Sequence, residues 1–432
     1  MTWVRRLVGL FLILFVCVVV LDGIEHVPYF YISLIFFLIL IVSAIRSRGP
    51  SVWKATLINL AAIVLAIGFA EAYVAGWRGF GLSPKMELTN ILLGPEGSTT
   101  ELKYYPFQID DLRGYALTKN TKIRSFATLG HEKVYDVIYT SNHYGLRISP
   151  HDINQPATLP KDHKNLAFFG CSCTFGVGVD DNESWPYLVE EQSGGRYRAY
   201  NFALGGYGPH QMLRMLQTGF IDTVNMDKKP VGAIYFALTD HVARSACKYN
   251  YFTWDVNGPR YELNSSNELE YAGKFNDSLN SKITFWIFRK LAKSNLISNS
   301  YWCKNLLGWN INHRDKERCL KIILQSKKIV AEKYGGRFYV ILWGYNIWSD
   351  TSETYKYMLS TLIKYHIPVI ESKDIFADDS LKNRDIYLIK HDEHPNKLAN
   401  EKIAKYLINY IDNDLGRDHQ PALEALPHPE EK

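Results

Sequence analysis

The chain has 432 residues and a formal charge of +5, from 49 Lys+Arg against 44 Asp+Glu, with 22% charged and 14% aromatic residues. That composition excludes a disordered chain and allows two or three domains of roughly 100–200 residues each. The first eighty positions hold six basic and three acidic residues, which leaves 43 against 41 on the rest; so even a balance lacks the basic stripe of a nucleic-acid binder, and six cysteines are too few for a disulfide scaffold.

Three apolar runs come first: Leu7–Leu21, Val27–Ile45, and Ala55–Ala70, the last reaching Trp77 if Glu71 sits at an interface. The first also has the length of a signal-peptide core, but Val20-Leu21-Asp22-Gly23 offers no small-x-small cleavage site. The reading over residues 1–80 is therefore three transmembrane helices. Arg5 and Arg6 precede the first run and Arg46, Arg48 and Lys54 fill the second loop, whereas the first loop holds only Asp22 and Glu25. The positive-inside bias then predicts a cytoplasmic N-terminus and a multi-pass protein of the inner (cytoplasmic) membrane. Three spans place everything after Trp77 in the periplasm or outside, for a bacterial host.

Residues 81–140 read as a linker and N-terminal extension, and residues 141–412 as the main domain. Five short apolar or aromatic runs in it predict buried strands: Asn165–Phe169, Arg198–Ala203, Val231–Leu238, Arg337–Trp343 and Pro368–Glu371. Helical patterns follow most of them, over Trp185–Gln192, His210–Phe220, Lys316–Tyr334, Thr354–Tyr365 and Lys397–Ile411. This alternation predicts a parallel sheet covered on both faces, with ligands beyond the carboxyl ends of the strands. The aromatic-rich stretch at about 245–315 reads as an insertion or lid. Residues 413–432, charged and without periodicity, read as a disordered tail.

The chemistry-bearing residues fall at two strand ends. The first strand runs into Gly170-Cys171-Ser172-Cys173-Thr174-Phe175-Gly176, where a serine among small residues can present its hydroxyl to a cleft. The α/β-hydrolase elbow requires a second glycine where Thr174 stands. Near the C-terminus, His391-Asp392-Glu393-His394-Pro395-Asn396 precedes the last helix, with Pro395 suited to its first turn. A serine hydroxyl needs a base and an imidazole needs a carboxylate to fix its tautomer; His394 and Asp392 can supply both. A serine in a turn and a histidine in a polar loop are each usually structural, and it is the pairing that singles them out. No metal-ligand set and no cofactor motif is read from the sequence.

Together these segments resemble the SGNH (GDSL-type) hydrolase family. Phe169 to Gly176 is similar to its first block, commonly Gly-Asp-Ser-Phe-Thr-Phe-Gly, and Val179-Asp180-Asp181-Asn182-Glu183-Ser184-Trp185-Pro186 to the usual bacterial continuation. Asn201 to Gly208 resembles the second block, Asp392 to Asn396 the last, and Asn142-His143-Tyr144-Gly145-Leu146-Arg147 a segment preceding block one in membrane-anchored members. The likeness covers about residues 110–412 and implies a three-layer α/β/α flavodoxin-like parallel sheet. It implies Ser172 as nucleophile, His394 as base, Asp392 as its orienter, and an oxyanion hole from the amides of Ser172 and Gly206 with a contribution from Thr239. Two positions depart: the family's aspartate before the serine is Cys171, and its third-block Asn-Asp is Thr239-Asp240, followed by His241.

The implied activity is that of a serine esterase removing O-acyl groups, often acetyl, from an envelope carbohydrate or lipid. Two rivals stand beside it: an O-acyltransferase acting on a cell-surface polysaccharide with partners in envelope glycan synthesis, and a catalytically weak glycan-binding or assembly subunit, which Thr239 favours. A thiolate nucleophile at Cys171 or Cys173 is a further alternative. In an oxidising compartment Cys303 can pair with Cys319, and Cys247 with Cys171 or Cys173.

Overall fold

The computed structural model describes residues 29–46, 49–75, 86–94, 98–102, 107–153, 160–224, 226–248, 251–344, 347, 350–378 and 383–417. They divide into two compact units, one holding the residues up to 85 together with 278–310, the other holding 86–277 with 311–432.

In the first unit, α1 (Tyr29–Arg46) and α2 (Ser51–Ala75) form a helical hairpin. Its seam buries Leu40 and Ala44 of α1 against Leu57 and Ala61 of α2, the two alanines letting the backbones approach. The helices Leu279–Leu291, Asn295–Asn299 and Tyr301–Leu306 belong to the same unit. The expectation of three transmembrane helices is overturned. Leu7–Leu21 lies outside the described residues, and among the described residues no helix is long and apolar enough to cross a membrane. At 1.5 Å per residue, the 18 residues of α1 reach about 27 Å, short of a hydrocarbon core of about 30 Å. In α2 the stretch free of strongly polar side chains is residues 60–70, between Asn59 and Glu71, the length of a packed helix core rather than of a span. With the spans goes the inner-membrane, multi-pass placement and the periplasmic domain derived from them.

The second unit opens with antiparallel structure. The strands β1 (Met86–Leu93), β2 (Thr99–Leu102), β5 (Lys122–Leu129) and β6 (Glu132–Thr140) form a sheet in the order β2-β1-β5-β6, and β3 (Phe107–Asp110) with β4 (Gly114–Leu117) form a hairpin. The segment read as linker and extension thus carries six strands. In β5, Ile123, Ser125 and Ala127 are buried while Lys122 and Arg124 are exposed, the period of two expected of a half-buried strand.

The parallel sheet follows: β7 (Lys164–Phe169), β8 (Tyr197–Asn201), β9 (Pro230–Leu238), β12 (Arg337–Trp343) and β13 (Val369–Glu371), in the order β13-β12-β9-β7-β8. Counting only these five, the order is 2-1-3-4-5, that of a flavodoxin-like sheet. Successive side chains of a strand face opposite layers: Phe169 and Tyr235 join one core, Phe168, Ile234 and Phe236 the other. The helical segments include α3 (Ser172–Phe175), α4 (Trp185–Gln192), α5 (Pro209–Gln217), α6 (Asp240–Ser245), α7 (His313–Ile329), α8 (Glu353–Lys364) and α9 (Lys397–Arg417). The insertion expected at 245–315 is split: the hairpin β10–β11 (Pro259–Leu263, Leu269–Lys274) belongs to this unit, residues 278–310 to the other. The expected disordered tail is corrected at its start, because α9 continues to Arg417. Asp412 accepts from Tyr197 Oη (2.6 Å) and Arg196 Nη1 (2.9 Å), and Asp414 accepts from Tyr339 Oη at 2.7 Å, which fixes the added turn. Residues 418–432 lie outside the described residues.

Arg147 ties the antiparallel sheet to the parallel one. Its buried guanidinium donates to the carbonyls of Phe175 (2.6 Å), Gly176 (2.6 Å) and Val179 (2.7 Å) and pairs with Asp181 at 3.0 Å. Asp180 and Asp181 in turn accept the backbone N–H groups of Ile138 (2.7 Å) and Thr140 (3.0 Å) on β6. Removing one partner of a buried charge-paired network costs about 3–5 kcal/mol. Arg147→Met should lower the unfolding free energy by about that much, read from the urea midpoint, and Arg147→Lys should recover little of it because an ammonium lacks the planar fork. An unchanged midpoint in Arg147→Met contradicts this role.

Candidate active site

The residues singled out by sequence sit beyond the carboxyl ends of β7, β8 and β9. Ser172 starts α3 directly after β7, Gly206 lies in the loop after β8, and Thr239 follows β9. This is the switch point, where the chain leaves β7 for β8 on one side and then for β9 on the other. Asp392 and His394 arrive on the loop before α9. Ser172, Asp392 and His394 together line a cavity of about 580 Å³, to which Gly206 also contributes. The same three residues line a second cavity of about 310 Å³, together with Thr239.

The serine turn is held from every side. Gly170 has φ +153°, and a Cβ there would stand 2.2 Å from Thr174 Oγ1, so only glycine allows the chain to fold back into α3. Trp185 Nε1 donates to the Cys173 carbonyl at 3.1 Å and Asn201 Nδ2 to the Thr174 carbonyl at 3.0 Å. The tryptophan and asparagine of the sequence blocks thus brace the turn that carries the serine. Ser172 Oγ donates to Cys171 Sγ at 3.8 Å, not to His394.

The His394 loop is a tight knot. The Ile389 N–H donates to the His394 carbonyl at 2.8 Å, Asn396 Nδ2 to the Ile386 carbonyl at 2.7 Å, and Asn396 Oδ1 caps α9 by accepting from the Ala399 N–H at 3.1 Å. His391 and Glu393 adopt left-handed backbone, φ +68° and +67°, at about 1–2 kcal/mol each for an L-residue. The strained loop brings the side chains at 392 and 394 together: His394 Nδ1 is hydrogen-bonded to Asp392 Oδ1. His394 Nε2 has no hydrogen-bond partner among the described residues. His391 turns away, with Nε2 3.3 Å from Glu132 Oε2.

Donors for an anion are present. The amides of Ser172 and Gly206 and the hydroxyl of Thr239 meet no acceptor among the described residues. Gly206 has φ +85°, and a Cβ there would lie 2.5 Å from Tyr115 Oη and 2.8 Å from Trp254 Nε1. Tyr115 Oη donates to the Gly205 carbonyl at 2.8 Å. The loop bearing Trp254 is fixed by a pair that sequence reading missed: fully buried His210 Nε2 lies 2.8 Å from Asp255 Oδ2, and Gln211 Nε2 donates to Asp255 Oδ1 at 3.0 Å. They lie 45 positions apart, and no local pattern marks them.

Below the serine lie the two cysteines that flank it in sequence. Cys171 is fully buried and Cys173 is 8% exposed. The Cys173 thiol beside it, then the Arg244 guanidinium and the His241 ring, hold Cys171 well below the usual thiol range against the effect of burial, while the same contact pushes Cys173 up. His241 is packed, not presented: its Nδ1 lies 2.6 Å from Tyr235 Oη, and burial lowers its pKa. Cys171 is therefore the more acidic thiol, yet buried beyond the reach of a substrate; Ser172 is the partly exposed group. The cysteine pairings expected from sequence are not formed, since Cys171, Cys173, Cys247, Cys303 and Cys319 are all free thiols.

No family model matches the chain, and no curated protein matches it. Among solved structures it is similar to a G-D-S-L family protein from Desulfitobacterium hafniense DCB-2, at 12% identity over 57% of this chain and 99% of that one, TM-score 0.33. An acetyl xylan esterase from Geobacillus stearothermophilus matches at 10% identity over 57% and 94%, TM-score 0.31. A carbohydrate acetylesterase family member from Sinorhizobium meliloti matches at 9% identity over 59% and 99%, TM-score 0.28. Likenesses this distant carry no argument about chemistry, which rests on the site's own geometry.

Burial orders the thiols. Iodoacetamide applied to the native protein should modify the half-buried Cys303 well before Cys171 or Cys173, as peptide mapping would read. Prompt modification of Cys171 in folded protein contradicts the arrangement described.

Proposed function

We propose that this chain is a serine ester hydrolase of the SGNH type, with Ser172 as nucleophile, His394 as general base and acid, and Asp392 as the group that orients His394. The observation carrying this reading is the convergence of the three residues on shared cavities, with His394 already bonded through Nδ1 to Asp392. That bond fixes the tautomer that leaves Nε2 free to accept a proton.

In the reaction, the Ser172 hydroxyl turns from Cys171 Sγ toward His394 Nε2 and attacks the ester carbonyl. His394 takes the proton and returns it to the leaving alcohol. Water, deprotonated by His394, then releases the acid from the acyl-serine. The developing oxyanion is held by the Ser172 and Gly206 amides and the Thr239 hydroxyl, the free donors near the site. One such donor is worth about 10²–10³ in rate. Thr239 reaches less far than the family's asparagine, but it makes no bond that would keep its hydroxyl from the anion. The bond cleaved is an O-acyl ester of a carbohydrate or lipid alcohol. The smaller cavity, lined by Asp240, Arg244 and Glu393, suits a hydroxyl-bearing leaving group.

Ser172→Ala and His394→Ala should each lower kcat/KM on a model ester by about 10³ or more, with the double variant no worse than either, because groups acting as a unit are non-additive. Asp392→Ala should cost less, since the imidazole remains although poorly held. Steady-state kinetics decide this, and full turnover in Ser172→Ala would remove the mechanism.

A further inference from the structure

The larger cavity is apolar in a way the chemistry of Ser172 does not need. Its outer wall comes from the antiparallel elements and one loop: Met86 and Leu88 of β1, Phe107 and Ile109 of β3, Tyr115 of β4, and Trp254. Met86, Leu88, Phe107, Ile109 and Trp254 are each more than a third exposed, Ile109 by 80%. In β1 and β3 the apolar residues Met86, Leu88, Phe107 and Ile109 alternate with Glu87, Thr89 and the cavity-lining Gln108, so each strand presents large apolar side chains where a solvated face would be polar. Clustered exposure of this kind marks a binding surface.

We infer that this cavity is the acyl-chain subsite of the proposed esterase and takes a medium-length unbranched fatty-acyl group rather than acetyl. The inference rests on the serine-esterase reading of the site. Three points support it. Ser172 and His394 line the same cavity as the apolar residues, so an ester carbonyl placed for attack has its acyl substituent beside the apolar wall. Size is the second: at roughly 30 Å³ per heavy atom, by analogy with water, acetyl fills about 90 Å³ and octanoyl about 270 Å³ of the 580 Å³. The third is polarity. Apart from the catalytic Asp392 and His394 no charged residue lines this cavity, and Gln108 and Asn257 are its only amide side chains against a lining dominated by apolar and aromatic groups, so a sugar placed there would leave several hydroxyls short of partners. The polar groups Asp240, Arg244 and Glu393 line the other cavity, which assigns the alcohol to that side.

The test compares p-nitrophenyl octanoate with p-nitrophenyl acetate on the full chain, together with Ile109→Asp and Leu88→Asp, two partly exposed positions where a new carboxylate can be solvated without unfolding the protein. Burying a methylene gives about fourfold in binding. Octanoate should therefore exceed acetate in kcat/KM by at least about 100-fold, and each variant should lower that ratio at least about tenfold. Acetate equal to or better than octanoate, or a ratio that neither variant moves, overturns the inference and leaves the esterase reading standing. Calorimetric binding of octanoate to Ser172→Ala separates the remaining cases. If no ester is cleaved but octanoate binds, and Ile109→Asp weakens it, the subsite stands and the hydrolase reading falls. If octanoate neither binds nor is released from an ester, both fall.

Discussion

The buried guanidinium of Arg147 is the constraint on which the site depends. It satisfies three carbonyls at the end of α3 and in the segment after it, and one carboxylate that is itself bound to β6. A turn carrying a nucleophile must leave regular structure early, and doing so orphans carbonyls that water would otherwise solvate. Arg147 replaces that water with a charged, planar donor set, so the turn can be both irregular and buried. Because the other end of the network is β6, the parallel sheet that presents Ser172 and the antiparallel strands that wall the larger cavity are fixed to each other within this unit.

The site divides its labour accordingly. In the proposed reaction the parallel sheet presents Ser172 at its switch point, and the His394 loop, with left-handed backbone at His391 and Glu393, holds His394 against Asp392. The antiparallel elements add no group of the proposed triad; Met86, Leu88, Phe107 and Ile109 give one side of the cavity its apolar lining. Beneath both lies buried Cys171, whose Sγ accepts the Ser172 hydroxyl at 3.8 Å.

Much of this was legible in the sequence, for reasons that differ between elements. The five parallel strands are buried on both faces and read as short unbroken apolar runs, so Val231–Leu238 and Arg337–Trp343 stand out within a residue of their bounds. Ser172, Gly206, Thr239, Asp392 and His394 lie at strand or helix ends, where spacing along the chain translates directly into position. The strands of residues 86–140 were not legible, because half-buried strands such as Lys122–Leu129 dilute their apolar residues with Arg124, Ser125 and Thr128. The long apolar runs near the N-terminus misled for the opposite reason: hydropathy registers how apolar a run is, not the length of helix it becomes, and α1 has 18 residues while Asn59 and Glu71 bound the apolar stretch of α2. A pair such as His210 and Asp255 is a product of topology and has no local signal; Arg147 and Asp181 lie in recognisable segments, but their contact is visible only in the fold.

The central claim is that Ser172 is the activated nucleophile. Its most direct measurement is intact-mass and peptide analysis of the full chain after exposure to an alkyl fluorophosphonate. The account predicts a single phosphonyl adduct on Ser172 that is lost in His394→Ala. An adduct on Cys171 or Cys173, or no adduct on folded protein, would contradict it.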